Sequence, residues 1–393
     1  MSRQPGLPKR LDQNRLKAAS TMVFVGSETL ILIRFALRNL PAFVGPMSDG
    51  RSREDGHKLA LSIFRYWISV IAWEMSGKDS ARVKALRDMY ERVLENLNLP
   101  QPETAFRMSA SRALARHVAD DGDWESQLSE AVNRTNSYAR GSTKANEDPD
   151  VGVGSSNEAR RITRLVSDTL EQDLDKLRHE LRTAPLWVQL PDEFASRLAK
   201  LWSLLSDDSS FRFWIDWYNG FLEGKPVDWD LQRQVAQIDD EIWDTGPKAV
   251  AREIARLQTE IALGELPRAM VRTSIDRHGI GGNHPPDDIE DSPEGFQDIS
   301  MLETSITLVW NAADGIEEET ASDTPNRDRV AACLQALETG LAAVAKWCGR
   351  KADLTVDTLI KWGIPAGGAY LVTQPEKVEA LIRAVERWLK FLP

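Results

Sequence analysis

The sequence contains very little cysteine, and its two cysteines are badly placed for a disulfide. Cys333 and Cys348 are the only ones among 393 residues, and both fall in one predicted helical region. A rise of about 1.5 Å per residue would put them about 22 Å apart on an unbroken helix, whereas bridged Cα atoms lie about 4.4–6.8 Å apart. The pair predicts a chain without a structural disulfide, as is usual in a reducing compartment such as the cytoplasm.

Long uncharged apolar runs are also absent. The best candidate, residues 22–44, is interrupted by three charged side chains and a proline, and a spanning helix needs about 20 mostly apolar residues. A second run, 59–75, contains two charges and is shorter. The first 17 residues lack the apolar core of a secretory signal. We therefore predict that both runs are buried helices of a soluble, cytoplasmic protein.

No catalytic motif is complete. His179 and Glu180 begin the zinc-peptidase helix pattern, but Thr183 stands where the second histidine is needed. The glycine-rich segment 279–283 lacks the preceding strand and the Lys-Ser/Thr ending of a phosphate loop. We predict no catalytic residue, no cofactor and no identifiable small-molecule substrate. The sequence therefore favours a protein that is not an enzyme, although a site assembled from scattered residues stays an open alternative.

Two acidic segments contain side chains that could carry chemistry, as metal ligands in the first and as paired carboxylates in the second. The first has four candidate ligands: His278, His284, Asp287 and Asp288. Their spacing fits no closed metal site, so a solvated acidic loop is favoured and no metal is predicted. The second segment, 314–323, is a run of carboxylates without apolar neighbours that would raise a pKa. It is predicted to be a solvated face or a linker.

The net charge of −11 is unevenly distributed. Residues 1–60 contain ten Lys or Arg and five acids, giving +5, whereas residues 284–326 contain twelve acids and neither Lys nor Arg, giving −12. Because phosphate neutralisation dominates nucleic-acid affinity, an acidic chain is not expected to bind nucleic acid. The basic N-terminal tail is expected to be solvated or to meet an acidic stretch, with local nucleic-acid binding as the alternative.

Apolar residues recur three and four positions apart nearly throughout, which predicts an all-α, multi-domain protein of helical bundles joined by Gly/Pro/acidic linkers. The predicted parts are an N-terminal helical domain with a basic tail (1–140), a linker (141–157), a Trp-rich helical domain (158–276), a second linker (277–297) and a C-terminal helical bundle (298–393).

Local signals give several helix bounds in the middle of the chain. Pro191 suits the start of a helix over 192–205. Ser209 or Ser210 opens an aromatic helix that stops at Gly224, and Asp228 begins the next one. A further helix begins at Gly246-Pro247.

The aromatic helix is the most distinctive feature, since ten of the thirteen tryptophans lie from Trp187 onwards. We predict a partner-binding surface formed by Trp214, Trp217, Tyr218, Trp229 and Trp243, because Trp and Tyr dominate binding hot spots. The alternative is a buried helix that anchors a small domain. Trp229 and Trp243 are predicted to pack against this helix in either case.

A second candidate surface lies near the C-terminus. Small residues between two amphipathic helices suggest membrane or oligomer contact, through Trp362, Pro365, Gly367, Gly368 and Trp388. The leading interpretation is a non-enzymatic protein-interaction or assembly module that binds a protein partner or itself. The alternative is a membrane-acting effector of a bacterial stress or phage-defence type that makes peripheral membrane contact through the C-terminal helices.

One block of about a hundred residues carries a resemblance. It contains W-x-x-W-Y, then L-x-G, then I-x-x-x-x-W-x-x-G-P, then an I-A-x-L helix: Trp214, Trp217, Tyr218, Leu222, Gly224, Ile238, Trp243, Gly246, Pro247, Ile254, Ala255 and Leu257. A G-x-N-x-P-P-like segment follows at 281–286. This pattern resembles a bacterial family of Trp-rich helical proteins. The resemblance implies a helical fold and brings no known activity with it.

Overall fold

The structure, a computed structural model, describes residues 28–38, 52–76, 178–266, 293–348 and 374–393, together with Thr169 and Asp173. Of these residues, 82% are α-helical and none lies in a strand. The all-α fold predicted from the periodicity is therefore confirmed for this part of the chain.

The chain divides into two compact units, Met1–Pro247 and Lys248–Pro393. The helices of the first unit are α1 (Glu28–Arg38), α2 (Arg53–Ser76), α3 (Arg178–Thr183), α4 (Asp192–Leu205), α5 (Arg212–Glu223), α6 (Trp229–Ala236) and α7 (Asp240–Thr245), with a 3₁₀ turn at Ser209–Phe211. Those of the second are α8 (Pro247–Gly264), α9 (Pro293–Thr320), α10 (Arg327–Cys348) and α11 (Pro375–Leu389).

Helix ends with local sequence signals lie where they were predicted. Helix α4 spans the predicted 192–205. Helix α5 ends at Gly224, whose φ of 72° is left-handed and whose N–H bonds back to the carbonyls of Gly220 and Phe221. A side chain there would meet the Thr183 carbonyl oxygen at 2.4 Å, so glycine is required for both reasons. The Asp228 carboxylate caps α6 by accepting from two backbone N–H groups.

The core of the first unit combines helices from distant parts of the sequence. Helix α2 is buried along most of its length, including Phe64, Tyr66 and Trp67, and α6 packs along it. Phe64 stacks on Trp214 of α5 with ring centroids 5.1 Å apart. Side chains of α1 and α2 therefore pack with those of residues 181–243 within one unit.

The second unit is a helical hairpin, α9 and α10, to which α11 adds. Its core contains one apolar side of α10 and one of α11, among them Val330, Leu337, Val344, Val378 and Leu381. Helix α9 begins at Pro293, so the last five residues of the segment predicted as the second linker are helical. The first linker and the rest of the second lie outside the described residues, and the domain boundaries stay predictions.

Candidate functional site

Four of the five predicted partner-binding residues are buried. Trp214, Trp217 and Tyr218 are 0% exposed and Trp243 is 4% exposed. Only Trp229 is half-buried. This burial matches the alternative interpretation of the aromatic helix, in which large rings anchor a small domain.

Ring contacts explain why these side chains are inside. Trp214 and Trp217 meet edge to face with centroids 6.1 Å apart. Trp243 lies 6.0 Å from Trp214, and Trp229 lies 6.0 Å from Phe221. The prediction that Trp229 and Trp243 pack against the aromatic helix is confirmed. Edge-to-face pairs add about 0.5–1.5 kcal/mol each beyond the area they bury.

Two of the predicted partner-binding residues, Trp217 and Tyr218, have polar atoms that hydrogen-bond inside the same unit. Trp217 Nε1 donates to Gln232 Oε1 at 2.9 Å, and the Gln232 amide donates to the Val227 carbonyl at 2.6 Å. The Tyr218 hydroxyl donates to the Leu37 carbonyl at 2.9 Å. Burial raises the pKa of Tyr218, so this hydroxyl stays protonated and is no general base. These contacts hold the fold.

A buried ion cluster joins α1 to Asp173, which precedes α3, and to the carbonyls at the end of α3. Arg34 Nε donates to Asp173 Oδ2 at 2.9 Å. Its two terminal nitrogens donate to the carbonyls of Leu181, Ala184 and Pro185 at 2.6–3.0 Å. One guanidinium thereby satisfies carbonyls that the short helix α3 leaves unpaired at its end.

Arg38 completes this cluster one helical turn further on. Its Nε donates to the Leu186 carbonyl at 2.8 Å, its Nη2 lies 2.5 Å from Asp173 Oδ2, and its guanidinium lies 5.7 Å from the centre of the Trp187 ring. Burial, together with the nearby Arg34, lowers the pKa of Arg38 to about 10. The guanidinium stays charged at neutral pH. It stabilises the contact between α1 and the segment at Leu186 and does not act as an acid or a base.

In the sequence, Arg34 and Arg38 are two of the charges that interrupt the apolar run at 22–44. The available signal was their spacing of four in an otherwise apolar helix, which puts both side chains on one face. The partner, Asp173, lies 139 residues away from Arg34. No local pattern identifies it.

The candidate C-terminal surface is represented by one described residue. Trp388 is 1% exposed and belongs to the core of the second unit. Trp362, Pro365, Gly367 and Gly368 lie outside the described residues. In the structure the apolar face of α11 is turned into this core, and the predicted membrane or oligomer contact stays a prediction.

The cysteines and the carboxylate run of the second unit have structural surroundings. Cys333 and Cys348 are half-buried and free, and burial raises the pKa of both thiols, which opposes a nucleophilic role. The acid run lies in α9 as far as Thr320. Glu319, predicted to be solvated, is instead 6% exposed, because it accepts from the Asn326 N–H at 2.6 Å and pairs with Arg329 at 3.1 Å.

Within the described ranges, no group of three or more His, Cys, Asp or Glu side chains could hold a metal ion. The loop containing His278, His284, Asp287 and Asp288 lies outside those ranges. His179 of the incomplete zinc-peptidase pattern is exposed on α3. Among the helices that the structure describes, none is sufficiently long and apolar to cross a membrane.

Large apolar side chains that are exposed are few in the described part of the chain. They are Val188 (85%), Met301 (63%) and Leu308 (36%). Met301 and Leu308 lie seven residues apart on α9, which places them on one side of the helix and about 10 Å apart along its axis. Leu302, Ile306 and Val309 of the same helix are in the core. We call this exposed pair the Met301–Leu308 face.

The helix that presents this face is strongly acidic. Residues 293–320 contain seven Asp or Glu and neither Lys nor Arg. Two of the acids, Glu318 and Glu319, pair with Arg329 of α10. Glu303, in the same turn as Met301, is exposed and makes no ion pair with another described residue. The sequence gives no sign of this face, because helical spacing alone does not show which apolar residues a neighbouring helix covers.

Comparison with known proteins adds no further constraint on this site. No protein-family model, no curated protein and no solved structure matches the chain. The resemblance to Trp-rich bacterial proteins therefore stays a prediction.

Proposed function

We propose that the chain is a non-enzymatic protein-interaction module, and that a protein partner contacts it at the Met301–Leu308 face. The observation that carries the proposal is the exposure of two large apolar side chains on one side of α9, two turns apart, while the other side of that helix forms the core. This proposal moves the expected contact from the aromatic helix to the second unit.

The chemistry of this face suits a partner. Exposed apolar side chains gain free energy when a partner removes them from water, at roughly 25 cal/mol per Å². Methionine is unbranched and adapts to differently shaped surfaces, which is why it is frequent at binding faces that accept helices. In the first unit, Trp229 is the predicted partner residue with part of its side chain still accessible.

The ionisable groups described above support a role other than catalysis. Arg34, Arg38 and Asp173 are used in one buried cluster, and Tyr218 and both thiols have pKa values shifted away from reactivity. In this proposal the protein works in the cytoplasm, in keeping with two cysteines that are both free.

Photo-crosslinking in the native cell tests the proposal. A photoreactive amino acid at position 301 of the full chain should give a discrete crosslinked product. The same amino acid at Ala199, an exposed position on α4 of the first unit, should not. Leu308→Ser should lower the yield at position 301 about tenfold, the effect of losing a contact worth about 1.4 kcal/mol.

Light scattering on the purified protein separates the two kinds of partner, since a product between two copies of the chain requires a dimer in solution. Equal products from positions 301 and 199, or a yield at 301 that Leu308→Ser leaves unchanged, would show that this face is not an interface.

A further inference from the structure

We draw no further inference here: the strongest candidate, the apolar Met301–Leu308 face of α9, already carries the proposed function, and nothing in the structure shows what covers it.

Discussion

Gly340 marks a point of close approach between α9 and α10, and replacing it by alanine tests the packing of the second unit. A Cβ atom at position 340 would lie 2.6 Å from Val309 Cγ2 and 3.0 Å from the Ser305 carbonyl oxygen. Val309 cannot readily turn away, because it is 0% exposed and its branched side chain has one strongly preferred rotamer in a helix. The helices themselves must separate.

Two opposing effects determine how much Gly340→Ala changes the stability of the α9–α10 hairpin. Alanine is better than glycine in a helix interior by about 1 kcal/mol. Overpacking a well-filled interior costs about 1–3 kcal/mol, and a contact of 2.6 Å with a rigid, buried neighbour belongs at the upper end of that range. We therefore expect Gly340→Ala to destabilise the α9–α10 hairpin by about 1–2 kcal/mol.

Hydrogen exchange measured by mass spectrometry on the full chain reports this change locally. Amides of α9 and α10 should exchange about tenfold faster for every 1.4 kcal/mol lost. Gly264→Ala is the matched control, since a Cβ there meets nothing within 4 Å, and it should not accelerate exchange. Unchanged or slower exchange in Gly340→Ala would refute the described packing. Adding Val309→Ala to Gly340→Ala should recover part of the loss, because it removes the clashing methyl group.

Two further predictions concern the first unit. Asp173→Asn should destabilise the docking of α1 by about 3–5 kcal/mol, because two buried guanidiniums lose their counter-charge. Asp207→Asn, which breaks an exposed ion pair, should cost under about 1 kcal/mol. Similar exchange rates of α1 amides in the two variants would contradict the cluster. Trp217→Phe should cost about 1–3 kcal/mol by leaving the buried Gln232 oxygen without its donor. A urea midpoint equal to that of the wild type would show that this hydrogen bond contributes little.

The parts of the fold that the sequence predicted well depend on neighbouring residues. The start of α4 after Pro191, the cap at Asp228 and the stop at Gly224 each need only a few adjacent positions, because proline, aspartate and glycine act on the backbone next to them. The helical period of α10 and α11 is likewise a short-range property. These signals are present in the chain before any tertiary contact forms.

The parts that could not be predicted depend on distant residues. The sequence shows that Arg34 and Arg38 share a face of α1. Their counter-ion, Asp173, is far away in the sequence and reaches them only through the tertiary fold. The same holds for the aromatic helix. Rings at three- and four-residue spacing suit both a core and a binding surface, and only α2, with Phe64 against Trp214, decides between them.

The sequence shows how wide the apolar face of a helix is. It does not show which part of that face neighbouring helices bury. Apolar residues of α9 include Met301, Leu302, Ile306, Leu308 and Val309, which together occupy more of the helix circumference than the core needs. The core takes the arc around Leu302, Ile306 and Val309, and Met301 and Leu308 are left in contact with water. When the apolar face of a helix is wider than the part that neighbouring helices bury, the remaining apolar side chains stay in contact with water in the free protein. A partner that buries Met301 and Leu308 gains the free energy of removing them from water. A partner is therefore expected at α9 and not at the tryptophans of the aromatic helix, which are already buried.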